Sequence, residues 1–199
     1  MAKKKTEEKT VHRPADPNVM GLRGTVVEQP ITRTLDENYM PYAMSVIVSR
    51  AIPEIDGFKP SHRKLLYTMY KMGLLTGGRT KSANIVGQTM RLNPHGDQAI
   101  YETMVRLAKG NESLLHPFVD SKGNFGKVYS RDMAYAASRY TEAKLAPICA
   151  ELFRDLDCDA VDFVDNYDNT TKEPTLLPTT YPNVLVSANQ GIAVGMASQ

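Results

Sequence analysis

Apolar residues recur at helical spacing in four stretches between residues 38 and 109. The first predicted helix begins near Asn38 and ends at Pro53, with Pro41 in its first turn, where the missing N–H of proline is tolerated. One face of this helix collects Tyr39, Tyr42, Ala43, Val46 and Ile47. Three more helices are predicted over residues 61–72, 82–92 and 97–109. Helices this closely spaced, joined by turns that contain glycine, are typical of helix-turn-helix proteins.

The helix over residues 97–109 is predicted to keep a polar face away from the core. Asp97 suits its N-cap. The inward stripe consists of Ala99, Ile100, Thr103, Met104 and Leu107. The outward face consists of Gln98, Tyr101, Glu102 and Arg106. The helix that carries this polar face therefore begins directly after the turn that contains Asn93 and His95.

The helix over residues 61–72 has a basic entrance. Its inward stripe consists of Leu65, Leu66, Met69 and Met72. The basic residues at its start, which are predicted to face outward, are Lys59, His62, Arg63 and Lys64. Turns that open helices bind phosphates because free backbone N–H groups point at the anion. In the alternative interpretation, the same residues only cap the helix and carry solvated charges.

The remaining segments are predicted more coarsely. Residues 119–129, centred on Gly123 and Asn124, suggest a β-hairpin. A helix that reaches about Leu156 follows, and Pro147 within it implies either a late start or a kink. A β-rich stretch comes after it. Residues 1–30 indicate a mobile basic arm, because prolines, glycines and charges replace the apolar periodicity there.

Charge is segregated along the chain. Residues 50–109 carry ten Lys or Arg against four Asp or Glu, a balance of +6, whereas residues 151–173 carry two against eight, a balance of −6. The basic segment predicts sequence-independent attraction to phosphates. The acidic segment is interpreted as a solvated outer surface rather than a metal site.

Cysteine content and hydropathy indicate a cytoplasmic protein. Cys149 and Cys158 are the only cysteines, which is too few for a disulfide framework or a zinc site, so both are predicted to be reduced thiols. The sequence contains no apolar run near the roughly 20 residues that cross a bilayer, and its lysine-rich start lacks the apolar core of a signal peptide. No membrane association is expected.

The dipeptide Arg139-Tyr140 carries the most specific chemistry in the chain. A tyrosine beside a guanidinium can attack a phosphodiester and hold the product as an ester. A phenol is a poor nucleophile at neutral pH, and a neighbouring cation helps by stabilising the negative charge that develops. The alternative is an ordinary tyrosine that opens an amphipathic helix, with the arginine on its wet face. The dipeptide alone favours that alternative.

Several further motifs resemble one known family, the A-type subunits of bacterial type IIA topoisomerases, which comprises the A subunits of DNA gyrase and of topoisomerase IV. The resemblance covers roughly residues 33–199. The stretches that carry it are residues 42–51, 56–64, 94–97, 123–126, 139–142, 161–168 and 191–196. Gyrase and topoisomerase IV share all of these motifs, so the resemblance does not separate them.

The resemblance implies an α+β fold. Residues 31–157 would form a winged-helix (helix-turn-helix) DNA-cleavage domain, with the hairpin at residues 119–129 as its wing. A flexible arm over residues 1–30 would precede this domain, and the start of a β-rich tower domain would follow over residues 158–199. Family members continue well beyond this point, so the chain is expected to be an N-terminal fragment of the breakage-reunion region.

The resemblance also implies a role for individual residues. Tyr140 would attack a phosphorus of DNA and become esterified to the new 5′ end, and Arg139 would stabilise the transition state. The residues near the scissile phosphate would be Arg50 and His95, and the flanking backbone would be clamped by Lys59, His62, Arg63 and Lys64. Asn93 stands where many members carry a histidine, so any DNA contact there would involve an uncharged amide. Ile192 would wedge between base pairs; the alternative is a core isoleucine in a glycine-rich strand.

Two positions match the fluoroquinolone site of the family. Gln98 and Glu102 stand where members commonly carry a serine and an acid, which anchor a bridge of water and magnesium to the drug. Because Gln98 has no hydroxyl group, this protein is expected to bind fluoroquinolones weakly.

The resemblance implies partners as well. A separate B subunit, with a TOPRIM domain and an ATPase, would hold Mg²⁺ and use ATP, since no Walker motif appears here. The working enzyme would be a heterotetramer of two A and two B subunits on double-stranded DNA. The competing hypothesis is a non-catalytic winged-helix DNA-binding module, which the basic helices alone would support equally well. Arg139 and Tyr140 distinguish the two hypotheses, because a simple binder does not need them.

Overall fold

The computed structural model describes residues 28–108, 115–126, 134–187 and 189–198. The chain divides into two units, Met1–Ser45 and Val46–Gln199. The predicted arm over residues 1–30 lies almost entirely outside the described residues. The predicted domain boundaries near residues 30 and 157 stay predictions.

The first helical segments begin earlier than the sequence pattern predicts. Helix α1 (Ile31–Thr34) continues into a π-helical turn (Leu35–Tyr39) and then into α2 (Met40–Val46). The early start is supported by the Arg33–Glu37 ion pair, whose Nε and Oε1 lie 2.6 Å apart one turn along the helix. The prediction that Pro41 lies in the first turn is therefore wrong. In a regular α-helix a proline ring clashes with the carbonyl four residues earlier, and the wider π turn before Pro41 relieves this clash.

In the second unit, a further π-helical turn (Ile47–Ala51) ends where Ile52 becomes extended, as expected before Pro53. The three predicted helices then follow with bounds within a few residues of those expected. They are α3 (Pro60–Lys71), α4 (Ser82–Thr89) and α5 (Asp97–Ala108). Proline at the first position of α3 suits its start, because that position needs no N–H.

The apolar stripes of these helices form most of the core. Fully buried side chains include Leu65, Leu66, Met69, Ile85, Met104 and Leu107. The faces predicted for α5 are wrong at two positions: Tyr101 is only 3% exposed, and Ala99 is exposed. A tyrosine can be buried when its hydroxyl group finds partners, and the hydroxyl of Tyr101 has two, Ala136 and Thr141.

A three-stranded antiparallel sheet packs beside these helices. Its strands are β1 (Thr80–Lys81), β2 (Val119–Lys122) and β3 (Glu142–Leu145), in the order β1-β3-β2. In the register, Val119 lies opposite Leu145 and Thr80 lies opposite Ala143. Among the described residues, β2 pairs with β3, and the hairpin over residues 119–129 stays a prediction. The last residues of the predicted hairpin, 127–129, lie outside the described part.

The helix predicted up to Leu156 starts late. Ala146 is extended before Pro147, a 3₁₀ turn covers Pro147–Cys149, and α6 occupies only Ala150–Phe153. The late start is thus the correct one of the two alternatives for Pro147. The ring of Phe153 stacks on Tyr70 at 4.4 Å between centroids, which fixes α6 against α3. Cys149 is buried and Cys158 is exposed, and both are free thiols.

Short strands dominate the remainder. Strand β4 (Phe163–Asp165) pairs with β5 (Lys172–Pro174), helix α7 covers Asn183–Val186, and β6 (Gly191–Ile192) pairs with β7 (Ala197–Ser198). Helices and antiparallel strands together confirm an α+β protein; the winged-helix and tower assignments stay predictions. Within the described ranges, no helix is long and apolar enough to cross a membrane.

Candidate active site

Arg139 and Tyr140 lie in a turn that leads into β3. The N–H of Tyr140 donates to the carbonyl of Ala137 at 2.9 Å, which closes the turn. The side chain of Tyr140 is 67% exposed, and the guanidinium carbon of Arg139 lies 4.9 Å from the centroid of its ring. The interpretation of Tyr140 as an ordinary helix-opening residue is therefore wrong. The turn presents a phenol to solvent with a cation on its face.

The backbone of this turn is anchored on the start of α4. The N–H of Ala83 donates to the carbonyl of Ser138 at 3.1 Å, and the N–H of Ser82 donates to the carbonyl of Thr141 at 3.0 Å. Hydrogen bonds therefore flank the Arg139-Tyr140 pair on both sides. The two side chains can point outward while their backbone is held.

A polar cleft brings together four of the residues singled out in the sequence. Its volume is about 540 Å³, and its lining includes Arg50, Lys64, Asn93 and His95. Arg50 and His95 are exposed, whereas Asn93 is only 9% exposed. Tyr140 does not line this cleft. The structure thus assembles a basic cleft and a separate exposed tyrosine.

Glu173 is a cleft residue that the sequence analysis missed. Its Oε1 lies 3.1 Å from Nζ of Lys64, which also donates to the carbonyl of Leu92 at 2.9 Å. Oε2 of Glu173 is buried and has no hydrogen-bond partner among the described residues. The interpretation of residues 151–173 as a solvated surface is therefore wrong for Glu173. A carboxylate sits beside one of the predicted phosphate-binding cations, and no local pattern could have indicated it.

Two of the four basic residues at the start of α3 do not face outward. Arg63 is 6% exposed and His62 is 8% exposed, so the prediction of an outward basic face is wrong for both. Nε and Nη2 of Arg63 donate to the two carboxylate oxygens of Asp56 at 2.7 and 3.0 Å. Such a bidentate pair holds the guanidinium in a fixed orientation. Arg63 has its partner inside the protein.

His62 is held in its neutral form. Burial, and then the nearby cations Lys59, Arg106 and Arg63, lower the pKa of His62 to about 3, although Asp56 acts in the opposite direction. Near neutral pH this imidazole therefore adds no positive charge to the helix entrance. The pKa of Lys59 is lowered too, by burial and then by Arg106.

The turn over residues 56–59 is bonded to the segment that precedes β6. The side chain of Asp56 accepts from the N–H of Leu177 at 3.0 Å, and its carbonyl accepts from Nδ2 of Asn183 at 2.9 Å. The carbonyl of Gly57 accepts from Nδ2 of Asn189 at 2.6 Å. Nζ of Lys59 donates to the carbonyl of Gln190 at 2.6 Å. The helix entrance and the β6–β7 hairpin are thus one connected structure.

Ile192 lies in strand β6, directly after the segment that is bonded to the helix entrance. Its side chain is 87% exposed, so the alternative of a core isoleucine is wrong. The preceding Gly191 is buried against the end of the π turn, and a Cβ at this position would clash with the carbonyl oxygen of Ala51. Only glycine permits this approach. The hairpin is therefore held close to Ala51 while Ile192 projects into solvent.

The sequence profile of the DNA gyrase and topoisomerase IV A-subunit family matches residues 50–199. The chain belongs to this family. The DNA gyrase A subunit of Staphylococcus epidermidis (strain ATCC 12228 / FDA PCI 1200) is 49% identical over 174 residues, which are 86% of this chain and 19% of that protein.

Two further relatives have comparable sequence identity to this chain. The DNA gyrase A subunit of Streptomyces coelicolor is 51% identical over 167 residues, 82% of this chain and 19% of that protein. The corresponding protein of Halalkalibacterium halodurans is 48% identical over 176 residues, 87% of this chain and 21% of that protein. The chain therefore spans about a fifth of the length of the relatives it matches.

In this family member, the two positions of the predicted fluoroquinolone site are bonded to each other. Nε2 of Gln98 donates to Oε1 of Glu102 at 2.9 Å and lies 3.0 Å from the hydroxyl of Tyr135. That hydroxyl donates to the same Oε1 at 3.1 Å. Burial, followed by the hydrogen bond to Glu102, raises the pKa of Tyr135. One oxygen of Glu102 is thus occupied by two donors.

The described residues contain no group of three or more His, Cys, Asp or Glu that could hold a metal ion. The carboxylates nearest the cleft, Glu54 and Glu173, form no such group. The expectation that Mg²⁺ is held by a B subunit therefore depends on family membership alone.

Proposed function

We propose that this chain carries the DNA breakage and religation site of a type II DNA topoisomerase, in which Tyr140 forms a transient phosphotyrosyl link to DNA. The observation that carries this proposal is the exposed phenol of Tyr140 with the guanidinium of Arg139 4.9 Å from its ring. Family membership supports the reaction class, because the relatives of this chain are named as A subunits of DNA gyrase.

The proposed step exchanges one ester for another. Oη of Tyr140 attacks the phosphorus, the bond from phosphorus to the 3′ oxygen breaks, and the 5′ phosphate remains on the tyrosine. The phenol gives up its proton and the leaving 3′ oxygen gains one, so charge and atoms balance. Arg139 stabilises the negative charge that develops on the phosphate. Because the new ester conserves the energy of the broken one, religation needs no external energy.

The remaining candidate residues are proposed to hold the duplex. Arg50 and His95 would lie near the scissile phosphate, and the partly exposed amine of Lys59 with the cleft amine of Lys64 would contact the flanking backbone. Asn93 would contribute through its amide. His62 and Arg63 would contribute to the shape of the DNA-binding surface and not to its charge, because His62 is neutral and Arg63 is paired with Asp56.

Ile192 is proposed to wedge between base pairs and bend the duplex. A projecting aliphatic side chain on a braced hairpin is the arrangement that such a wedge needs, since unstacking a base step requires a few kcal/mol. Its exposure and the close fit of Gly191 on Ala51 support this role.

The complete enzyme is proposed to be a heterotetramer of two A and two B subunits that acts on double-stranded DNA. The B subunit would supply the Mg²⁺ site and the ATPase. In the A subunit, residues 31–157 would form the winged-helix domain, and residues 158–199 would begin the tower. These proposals depend on the family, because this chain spans only about a fifth of the length of the relatives it matches.

The decisive experiment is adduct formation. This sequence is placed in a complete A subunit, which is mixed with the B subunit, DNA, Mg²⁺ and a poison that traps cleavage. The expected result is protein linked to DNA after denaturation, its loss in Tyr140→Phe, and its retention in Tyr167→Phe, which changes another exposed tyrosine. A non-catalytic DNA-binding module would give no linkage with any of the three proteins.

A further inference from the structure

Three buried hydroxyl groups meet beneath the turn that carries Tyr140. They belong to Ser82 on α4, Tyr101 on α5 and Thr141, and these residues are 0%, 3% and 0% exposed. Oγ1 of Thr141 lies 2.8 Å from Oγ of Ser82 and 2.9 Å from Oη of Tyr101. Thr141 is therefore the centre of a hydroxyl cluster, which we define as Ser82, Tyr101 and Thr141.

The hydroxyl cluster is bonded to the backbone on the other side of the turn as well. Oη of Tyr101 donates to the carbonyl of Ala136 at 2.7 Å. Residues 136 and 141 enclose Arg139 and Tyr140, so Tyr101 bonds to both ends of the segment that presents the phenol. The buried environment makes each of these bonds important, because an unpaired buried hydroxyl is unfavourable.

The methyl group of Thr141 is confined too. A Cβ at Gly123 would lie 3.4 Å from Cγ2 of Thr141, so the end of β2 packs against this methyl group. The ring of Tyr101 meets Tyr135 edge to face, with centroids 5.5 Å apart. The hydroxyl cluster thus contacts α4, α5, the end of β2 and the segment before the turn.

By contrast, the side chain of Tyr140 has little support of its own. It is 67% exposed, and the contact described for its ring is the cation of Arg139. Its direction therefore depends on the backbone over residues 136–141. In reactions that need an aligned nucleophile, a displacement of about 1 Å can reduce the rate by roughly 100-fold.

From this geometry we propose that Ser82, Tyr101 and Thr141 are positioning residues, which fix the direction of the Tyr140 phenol without touching DNA. The inference rests on the proposed function, because it assigns these three hydroxyl groups to the alignment of the same nucleophile. It reassigns Tyr101, whose helical position alone suggested an outward role. Loss of one hydroxyl group should slow DNA cleavage and religation while DNA affinity stays unchanged.

The test compares variants of Thr141 in a complete A subunit reconstituted with its B subunit, DNA and Mg²⁺. Thr141→Val keeps the shape and removes the hydroxyl, and Thr141→Ser keeps the hydroxyl. The single-turnover cleavage rate at saturating DNA is expected to fall roughly 10- to 100-fold in Thr141→Val and to recover in Thr141→Ser. The dissociation constant for DNA is expected to stay within about twofold of wild type.

Two further variants complete the experiment. Tyr101→Phe removes a second hydroxyl of the cluster and should lower the same rate. Thr89→Val, on α4, removes a buried hydroxyl that donates to the carbonyl of Ile85 at 2.8 Å within its own helix and should cleave like wild type. If Thr141→Val fails to fold, as its melting temperature will report, Tyr101→Phe carries the test. Combining both changes should slow cleavage by less than the product of the single effects, because the hydroxyls act as a unit.

Either of two results overturns the inference. One is cleavage at the wild-type rate in Thr141→Val and Tyr101→Phe. The other is a loss of DNA affinity that accounts for the whole effect, which would mean general damage rather than misalignment. A failure of the proposed function itself would look different, because the wild-type protein would then form no adduct with DNA.

Discussion

Acid should destabilise this protein through His62. The imidazole is buried beside Lys59, Arg63 and Arg106, and its pKa falls from 6.5 to about 3 in the folded chain. In the unfolded chain the same group titrates near its ordinary pKa of 6.5. Between these two pH values the unfolded state binds one more proton than the native state, so stability is lost as the pH falls below about 6.5.

The size of the effect follows from the proton count. One extra proton in the unfolded state changes the free energy of unfolding by about 1.4 kcal/mol per pH unit. Between pH 7 and pH 5 the contribution of His62 therefore amounts to roughly 2 kcal/mol. This is a large share of the roughly 5 to 15 kcal/mol that stabilises an ordinary domain.

Urea denaturation at pH 7, 6 and 5 measures this contribution directly. In His62→Gln the loss of stability between pH 7 and pH 5 should be smaller than in wild type by about 2 kcal/mol. His95→Gln, which removes an exposed histidine, controls for the loss of a histidine as such. Equal pH dependence in wild type and His62→Gln would mean that this imidazole is not held buried and neutral in the folded protein.

Two other predictions concern the proposed DNA wedge and the predicted fluoroquinolone site. Gly191→Ala should destabilise the chain by about 1 to 3 kcal/mol, because its Cβ meets the carbonyl of Ala51. It should also reduce the bending of bound duplex DNA, which energy transfer between dyes at the two DNA ends measures. Unchanged bending would argue against the proposal that a braced Ile192 wedges between base pairs. Gln98→Ser should remove one of the two donors on Oε1 of Glu102, supply a hydroxyl group, and raise fluoroquinolone-stabilised cleavage about tenfold, equivalent to roughly 1.4 kcal/mol. No gain in a drug titration of cleaved DNA would count against weak binding through Gln98.

The sequence predicted the elements whose apolar residues follow a regular spacing. Helices α3, α4 and α5 begin within one residue of the predicted starts, because their stripes are long and face one common core. Tyr101 was assigned to the wrong face for a physical reason. The helical periodicity places Tyr101 on the outward face, together with its polar neighbours. Its hydroxyl group is instead buried, because it bonds to Thr141 and Ala136, at least 35 residues away along the chain.

The rest of the site depends on contacts between distant segments. Arg63 looks like a surface cation until its partner Asp56 is seen to bind Leu177, 121 residues further on. Glu173 belongs to an acidic stretch that suggests a solvated surface, and only the fold brings it to Lys64. Local patterns therefore single out Arg139 and Tyr140 as candidates, but they do not predict the hydrogen bonds that hold the backbone of this turn.

The proposed reaction attaches the phenolic oxygen of Tyr140 covalently to DNA. The most direct measurement is mass spectrometry of trapped adducts, after nuclease digestion, from this sequence in a complete A subunit with its B subunit. The expected result is a nucleotide on Tyr140 and no adduct in Tyr140→Phe. A nucleotide carried by a different side chain, while Tyr140 stays unmodified, would contradict it.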